Sequence, residues 1–282
     1  MKKAETKSEI RRIVSSVKAD GKSVGLVPTM GALHEGHLSL IERASSDCDF
    51  VVVSVFVNPT QFGPNEDLES YPRNLSEDLK RSEKAGADAV FAPSAGQMYP
   101  EPQKVWVDVE GPLTETLCGA ARPGHFRGVA TVCTKLFNIV QPDRAYFGQK
   151  DAQQLAVIRA AAAQLDMPLE IIGCPIVREE SGLAMSSRND YLSEDQRKQA
   201  GVLYKSLMLC RELFNSGQRD TSRLKSKIRE TIQSCPSAEI DYIEIVRKDT
   251  FQPEENISAE SLAAIAVRIG PARLIDNITL KP

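Results

Sequence analysis

The chain has 282 residues, 41% of them hydrophobic and 26% charged, enough to bury an ordinary core in one large domain or two modest ones. A net charge of -3 and a pI near 5.8 leave no surplus of positive charge to neutralise a nucleic-acid backbone, whereas a small anion needs only a local site. The basic start MKKAETKSEIRRIV leads into no apolar stretch, and no run approaches the ~18 apolar residues of a membrane span. Six scattered cysteines show neither Cys-x-x-Cys nor zinc-finger spacing, so the expectation is a cytoplasmic globular protein with reduced thiols and neither membrane nor nucleic acid as partner.

Thr6 and Glu9 have capping-box spacing, and Ile10, Ile13, Val14 and Val17 share a face, which predicts a helix ending near Gly21. VGLVPT (24–29) and FVVVSVFVNP (50–59) are dense in β-branched residues and read as strands buried on both faces. Between them, residues 36–44 carry Leu38, Leu40 and Ile41 and suit a crossover helix, which parallel pairing requires. The alternation continues with a helix over 75–86, a strand over 89–92, a helix over 128–140, a strand over 144–147, a helix over 152–165 and a strand over 170–177. VWVDV (105–109) alternates and reads as an edge or interface strand. After Asn189, amphipathic helices over 194–214 and 222–234 precede three strands, IDYIEIV, LAAIAVRI and RLIDNITL. The pattern predicts an α/β fold: a Rossmann-like doubly wound parallel sheet over residues 1–176, followed by a smaller α+β domain over 177–282.

Four segments could carry chemistry. PTMGALHEGH follows a strand and opens a helix, where free N–H groups attract phosphate and where such folds bind ligands. His34 and His37, two of only three histidines, fall on one side of that first turn; the competing reading is a pair of capping or surface histidines. Zinc proteases use ligands four apart, and dinucleotide folds use G-x-G-x-x-G, so neither pattern is met. MSSRND (185–190) offers two hydroxyls and a guanidinium as a phosphate clamp, or is a solvated loop. FGQKDAQQ (147–154) brings Lys150 to a helix start that Asp151 could cap. VNPTQFGPNEDLESYPR (57–73) places the neutral amides Asn58 and Gln61 after the strongest strand, suited to a hydroxyl-bearing acid, or is turn chemistry alone.

Taken together, PTMGALHEGH, NPTQFGPNEDLESYPR, GHFRG, FGQKD and MSSRN resemble, in order and spacing, the pantoate–β-alanine ligase (pantothenate synthetase) family. That family belongs to the nucleotidyltransferases with H-x-G-H and KMSKS-like motifs. The resemblance implies ATP-dependent condensation of pantoate with β-alanine through a pantoyl adenylate, releasing pyrophosphate and AMP, as a step toward pantothenate and coenzyme A. It also implies a C-terminal lid and a homodimer. Carried onto this sequence, it implies an ATP site built from Met30, Gly31, Ala32, Leu33, His34, Glu35, Gly36 and His37, from Gly148, Gln149, Lys150 and Asp151, from Val177, and from Met185, Ser186, Ser187 and Arg188. His34, His37 and Lys150 would be catalytic, with His37 as the family's proton donor. Gln61 and Gln154 would hold pantoate, Gln61 would border the β-alanine path, and Glu77 and Asp78 would ligate magnesium. Gln149 departs from the family's frequent acid in F-G-E-K-D, and Ala152 from a common aromatic. The nearest alternative is a nucleotidyltransferase with a phosphorylated acceptor; a different class is a nucleotide-sensing or RNA-binding module, which the acidic pI disfavours.

Overall fold

The computed structural model describes residues 1–64 and 66–282. The chain forms two compact units: one of residues 1–109, 122–149 and 154–175, the other of residues 110–121, 150–153 and 176–282. The single cut proposed from the sequence, 1–176 and 177–282, does not express the two short segments that pack with the C-terminal residues.

In the first unit, six parallel strands are β1 (Lys2–Ala4), β2 (Val24–Thr29), β3 (Phe50–Val55), β4 (Ala89–Phe91), β5 (Arg144–Gly148) and β6 (Glu170–Cys174). Their order, β1-β4-β3-β2-β5-β6, is that of a Rossmann-like doubly wound sheet. Val24, Leu26 and Val27 of β2 and Val52 and Val53 of β3 are fully buried, as expected of strands covered on both faces. One apolar layer gathers Ile10, Val14, Leu26, Val52 and Phe147; the opposite layer gathers Val27, Ile41, Val53, Val90 and Tyr146.

The longer helices of this unit are α1 (Lys7–Ala19), α2 (Glu35–Asp47), α3 (Leu75–Lys84), α4 (His125–Val140) and α5 (Ala152–Gln164), the last beginning in residues grouped with the other unit. Thr6 and Glu9 close the expected capping box on α1. Three readings change. Residues 105–109 form no strand: Val107 donates its N–H to the Thr131 hydroxyl, and alternation without a ladder partner does not make a strand. Helix α4 starts at His125 rather than Gly128, and β6 ends at Cys174 rather than Val177. The short β1, beside β4, went unread because three residues carry too little pattern.

The second unit has α6 (Glu194–Ala200), α7 (Val202–Asn215) and α8 (Thr221–Gln233), then the antiparallel sheet β7 (Ala238–Arg247), β8 (Ser261–Ile269) and β9 (Ala272–Leu280). The one long helix expected over 194–214 is divided at Gly201, where a Cβ would lie 3.1 Å from the Ser181 carbonyl oxygen. Leu203, Leu207, Leu224, Ile228, Ile245 and Ile265 fill the core. All six cysteines are unbridged, and five are buried. No helix among the described residues is long and apolar enough to cross a membrane.

Candidate active site

In the first unit, β2 lies between β3 and β5, so the loops after β2 and β5 emerge side by side at the carboxyl end of the sheet. Such a switch point is where open α/β sheets take their ligands. Residues Met30 to His34 leave β2 there, and Gly148 and Gln149 end and follow β5.

Beyond β2 the chain turns through Gly31 (φ +85°) and Ala32 (φ +50°). A Cβ on Gly31 would come within 2.8 Å of an Asp78 carboxylate oxygen, so glycine is required both for the backbone angle and for the approach. Ala32 has no such exemption and is held by partners. The Asp78 carboxylate accepts the N–H groups of Ala32 (3.1 Å) and Leu33 (2.8 Å), and Arg81, one turn further along α3, donates to the Leu33 carbonyl (2.9 Å). Asp78 is 2% exposed; burial pushes its carboxyl above the ordinary value, with the two amides and Arg81 pulling against it.

The turn then opens α2. His34 is the N-cap, and its Nδ1 accepts the Gly36 N–H (3.2 Å), while Nδ1 of His37 accepts the His34 N–H (3.4 Å). The two rings stand 4.1 Å apart, tilted by 35°. Both imidazoles therefore cap the helix they open. Because both Nδ1 atoms accept, the neutral rings carry their protons on Nε2, and the turn presents two imidazole donors beside the positive end of a helix.

Gln61 sits in the turn after β3. Asn58 donates to its Oε1 (3.0 Å), and Asn58 Oδ1 in turn accepts the Tyr99 hydroxyl (2.8 Å). This polarity leaves the Gln61 Nε2 as the donor end, directed at Met30 Sδ (3.3 Å). A cluster unread in the sequence fixes the backbone of the same turn. His125, 8% exposed at the start of α4, has Nδ1 2.8 Å from the Gln61 carbonyl and Nε2 3.0 Å from Arg122, whose guanidinium grips Glu66 at 2.7 and 2.5 Å. Gly128 lets α4 come this close: a Cβ there would lie 2.4 Å from the Thr60 carbonyl oxygen.

Arg122 holds the Glu66 carboxyl below its ordinary 4.5 against the opposing effect of burial, the largest single influence. A lowered value means the pair's contribution is fully present above pH 4.5 and fades as the pH falls through the shifted value. Glu66→Gln is therefore expected to cost about 1–3 kcal/mol at pH 7. In thermal unfolding the gap between the two proteins should close on acidification; a gap unchanged at pH 3 contradicts this.

A cavity of about 310 Å³ opens at the ends of β2, β3 and β4, lined by Met30, Val55, Phe56, Arg73, Asn74 and Asp78 among others. Glu77, beside Asp78, is paired with Arg81 (3.0 Å). No cluster of three or more metal-ligating side chains occurs among the described residues. Gln154 is half-buried on α5, whereas its neighbour Gln153 is buried and bonds Leu113, Thr116 and Cys118 in the second unit. Asn65, in the middle of the 57–73 loop, lies outside the described residues.

The remaining expected residues belong to the second unit. Lys150 and Asp151 stand in a short 3-10 turn, 3.5 Å apart. Val177 and Met185 are joined, carbonyl to N–H, at 3.0 Å. Ser186 caps the turn Ser187–Tyr191, its hydroxyl accepting the Arg188 N–H. Ser187 is buried and Arg188 half-buried.

Residues 2–279 match the family model for pantoate-β-alanine ligase. The chain belongs to the pantoate–β-alanine ligase family. It is 55% identical over 281 residues to a pantothenate synthetase of Acetivibrio thermocellus, covering 100% of both chains. It is 58% identical over 262 residues to one of Heliobacterium modesticaldum, covering 93% of each. Among solved structures, the pantothenate synthetase of Thermus thermophilus superposes with a TM-score of 0.95 at 47% identity over 100% of both chains. A pantoate-β-alanine ligase of Francisella tularensis, complexed with β-γ ATP and β-alanine, superposes with a TM-score of 0.81 at 35% identity, covering 99% of this chain and 97% of that one.

Proposed function

We propose that the chain condenses pantoate with β-alanine, using ATP and passing through a pantoyl adenylate. The observation that carries this reading is the pair of imidazoles whose Nδ1 atoms are fixed by backbone N–H groups at the start of α2, in a chain with full-length likeness to this family. The Francisella relative's complex with β-γ ATP and β-alanine supports the same two ligands here.

In the first step a pantoate carboxylate oxygen attacks the α-phosphorus, and the bond to pyrophosphate breaks. Charge grows on the phosphate oxygens, where His34, His37 and the α2 amides stabilise it; Met30 to Leu33, Glu35, Gly36, Gly148 and Gln149 line the nucleotide. Likeness to the family further proposes Lys150 as a point charge, Arg188, Ser186 and Ser187 as donors, and Asp151, Val177 and Met185 as nucleotide contacts. Gln61, its amide polarity set by Asn58, donates to pantoate oxygens, with Gln154 as second amide. In the second step the neutral amine of β-alanine, passing Gln61, attacks the acyl carbon; AMP leaves with the bonding electrons, and the amine gives up a proton. No protein nucleophile is needed; positioning and charge neutralisation are the protein's task.

Glu77 and Asp78 carry the hard oxygens magnesium takes, but they do not fit one ion together: they are consecutive on α3, Asp78 is 2% exposed with each oxygen accepting an N–H, and Glu77 is paired with Arg81. Magnesium bound to the nucleotide would neutralise phosphate charge.

A cytoplasmic homodimer fits this reading. Val105, 77% exposed, and Trp106, 36% exposed beneath Arg127, suit a second copy of the chain. Val105→Lys with Trp106→Lys is expected to give monomers by sedimentation; dimers persisting at low micromolar concentration would count against this face.

Labelled pyrophosphate should exchange into ATP only when pantoate is present, and AMP should follow only on adding β-alanine. Absence of exchange with pantoate, or exchange driven by a phosphorylated acceptor, overturns the ligase reading.

A further inference from the structure

Two segments of the second unit assigned to nucleotide phosphates, Lys150 and the stretch Met185 to Arg188, lie 35 residues or more apart in sequence. Both are tied to consecutive residues of the last strand. Asn277 of β9 donates its side-chain N–H to the Lys150 carbonyl (2.8 Å). Asp276 receives the Arg178 guanidinium on both oxygens, at 2.6 and 2.9 Å.

Arg178 in turn organises the stretch leading to Met185. Residues 177–185 fold back as a narrow loop whose limbs are joined by Val177 to Met185, by Arg178 to Ala184 and by Glu179 to Leu183. The Arg178 guanidinium donates to the Gly182 carbonyl (3.0 Å) at the tip and lies 4.0 Å over the Tyr204 ring. Gly182 (φ +86°) passes so close to Tyr204 that a Cβ would sit 2.4 Å from the ring. Asp276 is 3% exposed and in phase with the core-facing Leu274 and Ile278. A carboxylate there is costly unless fully paired, and the Arg178 fork and the Asn277 N–H (2.7 Å) pair it. Apolar residues would fill this face without that cost, so stability alone does not account for the pair.

We propose that Asp276 and Asn277 are positioning residues for the nucleotide phosphates: Asn277 fixes the backbone from which Lys150 projects, and Asp276, through Arg178, fixes the limb that delivers Met185 to Arg188. The proposal rests on the assignment of those residues to ATP. It makes β9 part of the adenylation machinery, acting through other residues rather than by touching substrate.

The test compares Asn277→Ala, Asp276→Asn, Lys150→Ala and the double variant Lys150→Ala with Asn277→Ala, in the full-length enzyme. ATP binding by calorimetry, the KM values for ATP and pantoate, and thermal midpoints are read together. Asn277→Ala is expected to weaken ATP by about 5- to 30-fold, the loss of one well-aligned hydrogen bond, with the KM for pantoate unchanged. In the Lys150→Ala background it should cost nothing further for ATP. Asp276→Asn, if it folds, should do the same through the Met185 to Arg188 limb. A lowered midpoint with wild-type KM values, or an effect that simply adds to that of Lys150→Ala, overturns the proposal. ATP binding and turnover unaffected by Lys150→Ala itself would remove the underlying assignment, a different and separable failure.

Discussion

Replacing His37 with Ala is expected to lower kcat for adenylate formation by about 10²- to 10³-fold, the usual effect of removing one preorganised donor to a charged transition state. The KM for pantoate should move little, because Gln61 and Asn58 stand on another turn. Two substitutions refine this. Gln carries an N–H near the position of the His37 Nε2, whereas Asn carries its amide near Nδ1. Partial recovery by His37→Gln but not by His37→Asn marks the ring as a fixed donor; Gln cannot pass a proton at neutral pH, so recovery would also speak against proton transfer as the main effect. Near-normal rates in His37→Ala would remove the imidazole pair from the mechanism. His37→Ala also loses the acceptor of the His34 N–H, a cap worth about 1 kcal/mol, which the amide oxygen of Gln or Asn can replace.

Asp78→Ala is expected to be as damaging by a different route. It strips two backbone N–H groups, at Ala32 and Leu33, of their acceptor and releases a turn held at positive φ. A hydrogen bond to a charged acceptor contributes about 1.5–3 kcal/mol, so a stability loss of about 2–5 kcal/mol is expected, with activity falling at least about 100-fold as His34 and His37 lose their support. If Asp78 served magnesium alone, the variant would instead keep its thermal midpoint and shift only the magnesium dependence of the rate. Its pH signature is opposite in sign to that of Glu66. Burial raises the Asp78 carboxyl, so its contribution is fully present below the ordinary 3.8 and declines as the pH rises through the raised value. Asp78→Asn should abolish that decline while keeping one acceptor for the turn.

How far the sequence could be read follows from how local each determinant is. VGLVPT and FVVVSVFVNP were legible as buried strands because β-branched density is a local property, and Thr6 with Glu9 announced their helix start within four residues. The imidazole pair was visible as a spacing, but not that its Nδ1 atoms are engaged in capping, which fixes the donor nitrogen. VWVDV had the right alternation and lacked a ladder partner, which alternation cannot reveal. Gly201 was the one available signal that the expected long helix divides, and apolar periodicity on both sides concealed it. Asp78 bonding Leu33, His125 holding Gln61 and Asn277 holding Lys150 span 45, 64 and 127 residues, so only tertiary structure could bring them together. They share a form: each secures a backbone carbonyl or amide of a segment whose side chains are assigned to substrate.

The most direct measurement of the central claim uses pantoate labelled with ¹⁸O in its carboxylate, with ATP, β-alanine and the enzyme, and mass analysis of the products. Direct attack of the carboxylate on the α-phosphorus predicts one ¹⁸O atom transferred to AMP per turnover and none to pyrophosphate. AMP free of label, or label in inorganic phosphate, would contradict the acyl adenylate and with it the role given to the His34 to His37 turn.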